Sequence, residues 1–369
     1  MKKSLLSLIT RAALFFFIIP AFTGCGEFIT KDDDPDTGSV EKVEIFLSQD
    51  KLQRLYSSVA TDSYTACTLE KGKWYGDADI KVRGLSSRMK HKKSFALKID
   101  GKKYMLERGQ ENGGLYNRIA MRAYQLAGVT ACDTESVVLF LNGEYLGCYN
   151  LITYYSPEKV SGELYKTWFK YTTDMDRCHP LSSLCEKKFP EDEDMSTLEY
   201  LIYACSSLSG TDWQEFVNQH VDIEKTAAYL AVHDFLTVID TQHTNYYIQY
   251  DGKYRIIPWD NEQSLLSSRK KYTLCNGNQL VRKLAIVPEV KAAYNQKMQT
   301  LFTGGEDSCI LDTLQAEAAA MFDRLATAMK NDPEFGTSRQ DFMKIKSFVV
   351  NYLDKNTGRA AEADKLVLH

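Results

Sequence analysis

The sequence predicts an α+β fold in two lobes, with a β-rich amino-terminal lobe and a mostly helical carboxy-terminal lobe. Three observations lead to this prediction. Short runs with apolar residues at alternate positions fill the first third of the chain. Apolar residues at helical spacing dominate from about residue 195 onward. The roughly 330 residues that follow the amino-terminal leader and tether are enough for one two-lobed domain or two small domains.

The first segment, residues 1–24, is interpreted as an export signal. Basic residues precede an apolar run that stops at Cys25. This is the order of a secretory leader, and the run is shorter than the roughly 18 residues of a membrane helix. The sequence FTGC at residues 22–25 resembles a bacterial lipobox, with Phe22 in place of the usual Leu. Cys25 is therefore expected to carry lipid as the first mature residue; the alternative is a plain secretory signal in which Cys25 is incidental.

Residues 25–39 are polar, acidic and without periodicity, which predicts a disordered tether. The acidic run resembles the surface-export signals of Bacteroidota lipoproteins. No later run is long and apolar enough for a membrane helix, so the lipid is expected to be the only membrane anchor. The prediction is an exported protein anchored to a membrane of the cell envelope, and the acidic run implies the outer-membrane surface.

Charge and cysteine content restrict the function classes. The net charge of −4 disfavours general nucleic-acid binding, which requires a basic surface. The nine cysteines permit disulfides in an exported protein, but their pairing cannot be deduced from spacing. The segment CHPLSSLC at residues 178–185 does not have the spacing of a common zinc site.

Residues 40–155 are predicted to form the amino-terminal lobe. Alternating runs predict strands, residues 114–128 predict a helix that stops at Gly128, and Asn142-Gly143 is a strong hairpin turn. Strands, one helix and a hairpin follow in the order found in the amino-terminal lobe of a protein kinase. The predicted strands are Val40–Ser48, Ala78–Gly84, Lys93–Asp100 and Lys103–Glu107.

The remainder of the chain is predicted to form the second lobe. Residues 156–194 are polar and are interpreted as a connection between the lobes or an insertion. Residues 195–369 carry apolar side chains at i, i+3 and i+4 spacing and are predicted to be mainly helical. The predicted helices cover residues 196–208 and 222–240, and lie around residues 277–302, 308–330 and 338–354.

The stretch VIDTQHTNYYIQYDGKYRIIPWDNE, residues 238–262, combines a predicted hairpin with three polar residues. Asp240 and Asn245 precede the hairpin, and Asp260 follows it. Kinases use an Asp beside the acceptor hydroxyl, an Asn five residues later that binds metal, and another metal-binding Asp after a hairpin. The spacing therefore predicts Asp240 as catalytic and Asn245 and Asp260 as metal ligands. In the alternative, Asp240 caps a turn, Asn245 lies in a loop and Asp260 is a surface acid.

Three ordered blocks resemble the spore-coat CotH kinase family. Residues 238–262 resemble the family's segment of catalytic and metal-binding acids. Residues 82–99, VRGLSSRMKHKKSFALKI, resemble its RG and KKS block, and residues 139–153, LFLNGEYLGCYNLIT, resemble its NGEY hairpin. The likeness extends over about residues 40–360. It implies an atypical protein-kinase-like fold and Mg²⁺-dependent transfer of the γ-phosphoryl group of ATP to a protein Ser or Thr hydroxyl.

The second block is also a basic stripe. The segment from Arg83 to Lys103 contains eight Lys or Arg residues, and Asp100 is its one acidic residue. Considered alone, the stripe fits either a phosphate-binding turn or a solvated strand face. The resemblance implies nucleotide contacts for Arg83, Ser86, Ser87, Lys92 and Lys93.

Three departures from the family pattern concern activity. Glu262 replaces an Asp, and it is still expected to bind metal although it is one methylene longer. Thr153 stands where the family hairpin ends in an acid. The predicted helix at residues 115–127 has no acid to pair with a phosphate-binding lysine, so Glu107 or Glu111 would have to replace it.

The sequence therefore predicts a lipid-anchored kinase-like phosphotransferase that uses ATP and Mg²⁺ and acts on a protein acceptor. The alternative is a catalytically inactive surface module with the same fold, which binds a glycan, a host protein or a partner lipoprotein. The phosphoryl acceptor, the membrane leaflet and the oligomeric state are left open by the sequence.

Overall fold

The computed structural model describes most of the chain from residue 35 onward. Cys25, Ser86, Glu111 and Asp240 lie outside the described residues, so the predictions made for them stay predictions. No helix within the described ranges has both the length and the apolar content needed to span a bilayer. The described ranges are 35–57, 62–84, 87–109, 114–167, 185–239, 241, 245–265, 278–303, 309–335, 339–356 and 360.

Strands from the first part of the chain close into a barrel. The strands are β1 (Glu41–Phe46), β2 (Thr65–Lys71), β3 (Trp74–Arg83), β4 (Ser94–Ile99), β5 (Lys102–Glu107), β6 (Thr134–Leu141) and β7 (Glu144–Thr153). Their order is β1-β2-β3-β4-β5-β7-β6, and a parallel pairing of β1 with β6 closes the barrel. The sequence predicted each of these strands except β2, and it did not predict the closure.

The pleat of each strand explains the barrel interior. Ala78, Ile80 and Val82 of β3 are buried, while the residues between them are partly exposed, because successive side chains point to opposite faces. Buried apolar side chains from every strand of the barrel form one interior cluster. Asn142 (φ 51°) and Gly143 (φ 83°) make the predicted turn between β6 and β7, because a tight hairpin turn requires positive φ.

Two helices accompany the barrel. They are α1 (Gln49–Ser57) and α2 (Leu115–Leu126). Leu115 and Ile119 are buried, as the helical spacing predicted, whereas Leu126, the third residue of the predicted apolar stripe, is only partly buried. Gly114 precedes the helix with φ 76°, and Gly128 follows it with φ 76°, a conformation that few residues other than glycine adopt.

A second sheet lies outside the barrel. It consists of β8 (Glu163–Thr167), β9 (Cys185–Phe189), β10 (Tyr246–Tyr250) and β11 (Tyr254–Pro258), in the order β11-β10-β8-β9. The hairpin of β10 and β11 confirms the strand pattern of residues 246–258, with residues 251–253 as its turn. The segment that the sequence assigned to an interlobe connection contributes β8 and β9, and β8 pairs directly with β10.

The described helices of the carboxy-terminal part share one hydrophobic core with this sheet. They are α3 (Ser196–Ser207), α4 (Gly210–His220), α5 (Ile223–Phe235), α6 (Gln279–Ala285), α7 (Pro288–Met298), α8 (Leu311–Lys330) and α9 (Arg339–Tyr352). Every residue of α5 from Thr226 to Phe235 is buried, so α5 is the central helix of this core. Tyr124 of α2 stacks on Tyr229 of α5 with ring centroids 5.3 Å apart. The structure therefore confirms a mixed α/β fold.

Candidate active site

Three carboxylates from distant parts of the sequence meet at one point. Glu107 is the last residue of β5, and Asp260 and Glu262 follow β11. One oxygen of each residue lies within 4.8 Å of an oxygen of the other two. Carboxylate oxygens at this spacing are the ligands that hard divalent cations such as Mg²⁺ prefer. The sequence predicted Asp260 and Glu262 as metal ligands and considered Glu107 only as a partner for a lysine.

The hairpin brings Asn245 to the same end of the sheet. Tyr246 is paired with Pro258, and the backbone N–H of Trp259 donates to the Asn245 carbonyl at 3.2 Å. Asn245 and Asp260 both have positive φ, 64° and 53°. Such backbone is uncommon for most residues other than glycine, and Asn and Asp are among the few that adopt it readily. The spacing of the two residues is thus a consequence of strand pairing.

Two buried amides hold Glu107 in position. Asn117 of α2 donates from Nδ2 to both Glu107 oxygens, at 3.1 and 3.0 Å, and Asn150 of β7 donates to Oε2 at 3.1 Å. Asn117 also accepts a hydrogen bond from the Asn261 backbone N–H at 3.1 Å. One side chain therefore ties Glu107 to the segment that carries the other two carboxylates. The sequence predicted neither amide, because no sequence motif identifies an asparagine within a helix or strand as a residue of a functional site.

The electrostatics of the cluster favour a cation. Burial first, and then the charges of Asp260 and Glu262, raise the pKa of Glu107 to about 8, against the opposite effect of the hydrogen bonds from the two asparagines. The repulsion among three acids in a partly buried site is relieved either by a proton on Glu107 or by a cation that replaces this proton. The donor set and its excess negative charge therefore fit a Mg²⁺ ion.

Two cations lie beside the carboxylates. The Arg83 guanidinium lies 5.5 Å from the ring centroid of Tyr154 and 5.9 Å from that of Trp259, and it donates to the Tyr154 hydroxyl. Lys166 of β8 has its pKa lowered to about 8, first by burial and then by the charge of Arg83, while Asp260 acts in the opposite direction. The sequence predicted Arg83 but not Lys166, which lies in a segment read as a connection.

The ammonium groups of Lys92 and Lys93 bind different partners within the protein. Lys92 forms an ion pair with Asp332 at 2.6 Å, with side chains 4% and 0% exposed, and donates to the Cys148 carbonyl at 2.9 Å. The Lys93 ammonium donates to the backbone carbonyls of Arg88 at 2.7 Å and Lys90 at 2.5 Å. The charge of Lys92 is therefore compensated within the protein, whereas the nucleotide contacts predicted for both lysines remain untested.

Gly147 of the NGEYLG segment explains why this ion pair fits. A Cβ atom at Gly147 would lie 2.2 Å from Asp332 Oδ2 and 2.8 Å from Lys92 Nζ. The Cys148 N–H donates to the same Asp332 oxygen at 2.7 Å. We call these contacts the Lys92–Asp332 clasp, because they join the barrel to the segment that follows α8.

The residues on either side of Asp240 are anchored. The Ile239 N–H donates to the Gln263 carbonyl at 2.9 Å, next to Glu262. Thr241 Oγ1 lies 2.6 Å from His233 Nε2, and the Thr241 carbonyl accepts from Asn278 at 3.1 Å. These contacts tie the chain before and after Asp240 to the metal-site segment and to α5 and α6. Ser87 opens a short 3₁₀ turn, Ser87–Met89, and Thr153 ends β7.

One protein family and several individual proteins are similar to this chain. The inner spore coat protein H of Bacillus subtilis (strain 168) is 20% identical over 346 residues, which cover 84% of this chain and 93% of that protein. Among solved structures, the Helicobacter pylori proinflammatory kinase CtkA matches with a TM-score of 0.31 and 11% identity, over 74% of this chain and 94% of that chain. The FAT and kinase domain of CtTel1 matches with a TM-score of 0.32 and 13% identity, over 83% of this chain and 23% of that chain. The family model described as "CotH kinase protein" matches residues 80–360, so the chain belongs to the CotH kinase family.

Proposed function

We propose that this protein transfers the γ-phosphoryl group of ATP to a Ser or Thr hydroxyl of a protein acceptor in a Mg²⁺-dependent reaction. The observation that carries the proposal is the meeting of Glu107, Asp260 and Glu262 within 4.8 Å. Phosphoryl transfer requires little covalent help from the protein and depends on positioning and charge neutralisation. Membership of the CotH kinase family supports a kinase-like function.

In this proposal the metal is held by the three carboxylates, with Asn245 as a further oxygen donor. A bound Mg²⁺ ion would neutralise charge on the nucleotide phosphates. Asn117 and Asn150 keep both Glu107 oxygens in place through the hydrogen bonds described above.

The two cations and Asp240 complete the proposed reaction. Arg83 and Lys166 place positive charge beside the carboxylates, where the phosphates would lie. Arg83 offers a planar fork of donors and Lys166 a point charge, and both suit phosphate oxygens. Asp240 would orient or deprotonate the acceptor hydroxyl.

Two substitutions separate metal binding from transfer. Asp260→Asn is expected to abolish Mg²⁺-dependent ATP binding measured by calorimetry, because it removes a metal ligand. Asp240→Asn is expected to retain binding and lose phosphate transfer to a protein acceptor, because it affects only the transition state. Asp77→Asn, on the exposed outer face of β3, is the matched control and should change neither property.

The second candidate function is a non-catalytic binding module. Tyr200 and Tyr203 of α3 are 48% and 59% exposed, and exposed aromatic side chains suit partner binding. Wild-type protein that shows no Mg²⁺-dependent nucleotide affinity would refute the kinase proposal and favour this module.

We also propose that lipid on Cys25 anchors the protein to a membrane of the cell envelope, with its acidic tether leading to the outer-membrane surface. The proposal derives from the lipobox-like FTGC sequence and the acidic run after it. The acceptor protein would then be exported as well.

A further inference from the structure

Side chains from three separate parts of the fold hold the Arg83 guanidinium. Arg83 ends β3, Met105 lies in β5, Tyr154 follows β7 and Trp259 follows β11. Arg83 Nη1 donates to the Tyr154 hydroxyl and to the Met105 sulfur. The guanidinium also lies 5.5 Å from the Tyr154 ring centroid and 5.9 Å from that of Trp259, which are cation–π distances. These contacts together give the guanidinium a defined orientation.

The two aromatic rings are themselves fixed in place. Their centroids lie 5.0 Å apart, and the Tyr247 ring meets the Trp259 ring edge-on at 5.5 Å. Trp259 is 2% exposed, and the backbone N–H of Tyr154 donates to the Lys103 carbonyl at 3.1 Å. Because Asp260 directly follows Trp259, the rings connect Arg83 to the segment that carries a proposed metal ligand.

The contacts of Nη1 leave other donors of Arg83 for a ligand. A guanidinium has five N–H donors in a rigid plane. Within the ranges that the structure describes, the hydrogen bonds of Arg83 start from Nη1, and none starts from Nε or Nη2. Nε and Nη2 share one edge of the guanidinium, and such an edge binds two oxygens of one phosphate group.

We propose that Tyr154 is a positioning residue, which presents the edge formed by Nε and Nη2 of Arg83 to a phosphate group of the nucleotide. This inference rests on the proposed function, in which Arg83 contacts the phosphates. The Tyr154 hydroxyl binds Nη1, and the rings of Tyr154 and Trp259 fix the guanidinium plane. The edge is therefore oriented before the nucleotide arrives, which lowers the entropic cost of binding.

Tyr154→Phe in the full chain tests the role of the hydroxyl, because it keeps the ring and removes the acceptor. Calorimetry should show a Kd for ATP in the presence of Mg²⁺ that is about three- to tenfold higher than in wild type. The Kd for Mg²⁺ alone should not change, because the carboxylates are untouched. If Tyr154 only supported the structure of this region, the substitution would alter stability or Mg²⁺ affinity and would leave the ATP affinity of the metal-loaded protein unchanged.

A double-mutant cycle tests whether Tyr154 acts through Arg83. Arg83→Gln should weaken ATP binding, and adding Tyr154→Phe to it should cause no further loss, because residues that act through one another are not additive. Tyr254→Phe is the matched control. It removes a hydroxyl that donates to the Thr197 carbonyl at 2.6 Å, at the other end of β11 from Trp259, and it should leave the ATP affinity unchanged.

Inorganic tripolyphosphate, which has no base, is the second probe. Tyr154→Phe should weaken the binding of tripolyphosphate and of ATP by the same factor. A loss confined to ATP would mean that Tyr154 contacts the base, and it would overturn the inference. Wild-type affinity in Tyr154→Phe, or an equal loss in the Arg83→Gln background, would also overturn it while the proposed function stands. Wild-type protein without Mg²⁺-dependent ATP affinity would instead refute the proposed function, and this inference with it.

Discussion

Replacing Gly147 by alanine is expected to break the Lys92–Asp332 clasp. The new Cβ atom would lie 2.2 Å from Asp332 Oδ2, well inside the 3.5–4.0 Å of normal contacts, so the carboxylate must move. Its bonds of 2.6 Å to Lys92 and 2.7 Å to the Cys148 N–H would then be lost. Disrupting a buried ion pair costs about 3–5 kcal/mol.

The backbone adds a second penalty. Gly147 has φ 97°, and a left-handed conformation costs a residue with a Cβ about 1–2 kcal/mol. The expected loss is therefore about 4–7 kcal/mol of unfolding free energy, out of the roughly 5–15 kcal/mol typical of a domain. Most of this loss comes from the displaced carboxylate.

Urea denaturation of Gly147→Ala beside Gly143→Ala separates the two penalties. Gly143 lies in the same hairpin with φ 83°, but a Cβ atom there would have nothing within 4 Å. Gly143→Ala should therefore lose only the backbone contribution, and Gly147→Ala should lose about 3 kcal/mol more. A difference below about 1 kcal/mol would show that Asp332 adapts freely and that the clasp contributes little.

Three further predictions concern the site, the pH dependence and the anchor. Asn117→Ala should weaken Mg²⁺-dependent ATP binding about 10–100-fold in calorimetry, because Glu107 loses a donor to each oxygen; unchanged affinity would contradict this role. Burial lowers the pKa of His233 to about 3, so the unfolded state binds a proton first as pH falls below about 6.5. The contribution of this neutral histidine to the free energy of unfolding is complete above pH 6.5 and is lost towards pH 3 at up to about 1.4 kcal/mol per pH unit. In urea denaturation at a series of pH values, the unfolding free energy of His233→Gln should therefore fall less steeply with decreasing pH than that of wild type. Cys25→Ser should shift the protein from the membrane to the soluble fraction of cells, and unchanged partitioning would refute the lipid anchor.

Local patterns were sufficient for much of the fold and for two of the three carboxylates of the cluster. The hairpin of residues 246–258 follows from alternation and a turn, and Asp260 and Glu262 follow from their position after it. Strands β8 and β9 escaped prediction because ELYKT and CEKKF are short and charged, and their pairing with the hairpin is what makes them strands.

The remaining site features depend on contacts between distant residues. Lys92 and Asp332 are 240 positions apart, so a spacing rule could suggest a phosphate ligand but could not reveal the buried partner. Glu107 joins the cluster only because β5 ends where the hairpin ends. Lys166 lies in no motif, and the charges that act on it come from Arg83 of the barrel and from Asp260 after β11, which are both distant in sequence.

The closure of the barrel restricts the order in which the protein can fold. Residues 41–45 of β1 pair with residues 137–141 of β6, whereas β2 to β5 pair with their neighbours in sequence. During synthesis the neighbouring hairpins can form early, but β1 must wait for a strand about 95 residues later, and such non-local pairing slows folding. A chain released before residue 141 therefore leaves β1 with an open edge, which is a template for aggregation. Any fragment that contains the closed barrel must run from residue 41 to at least residue 153.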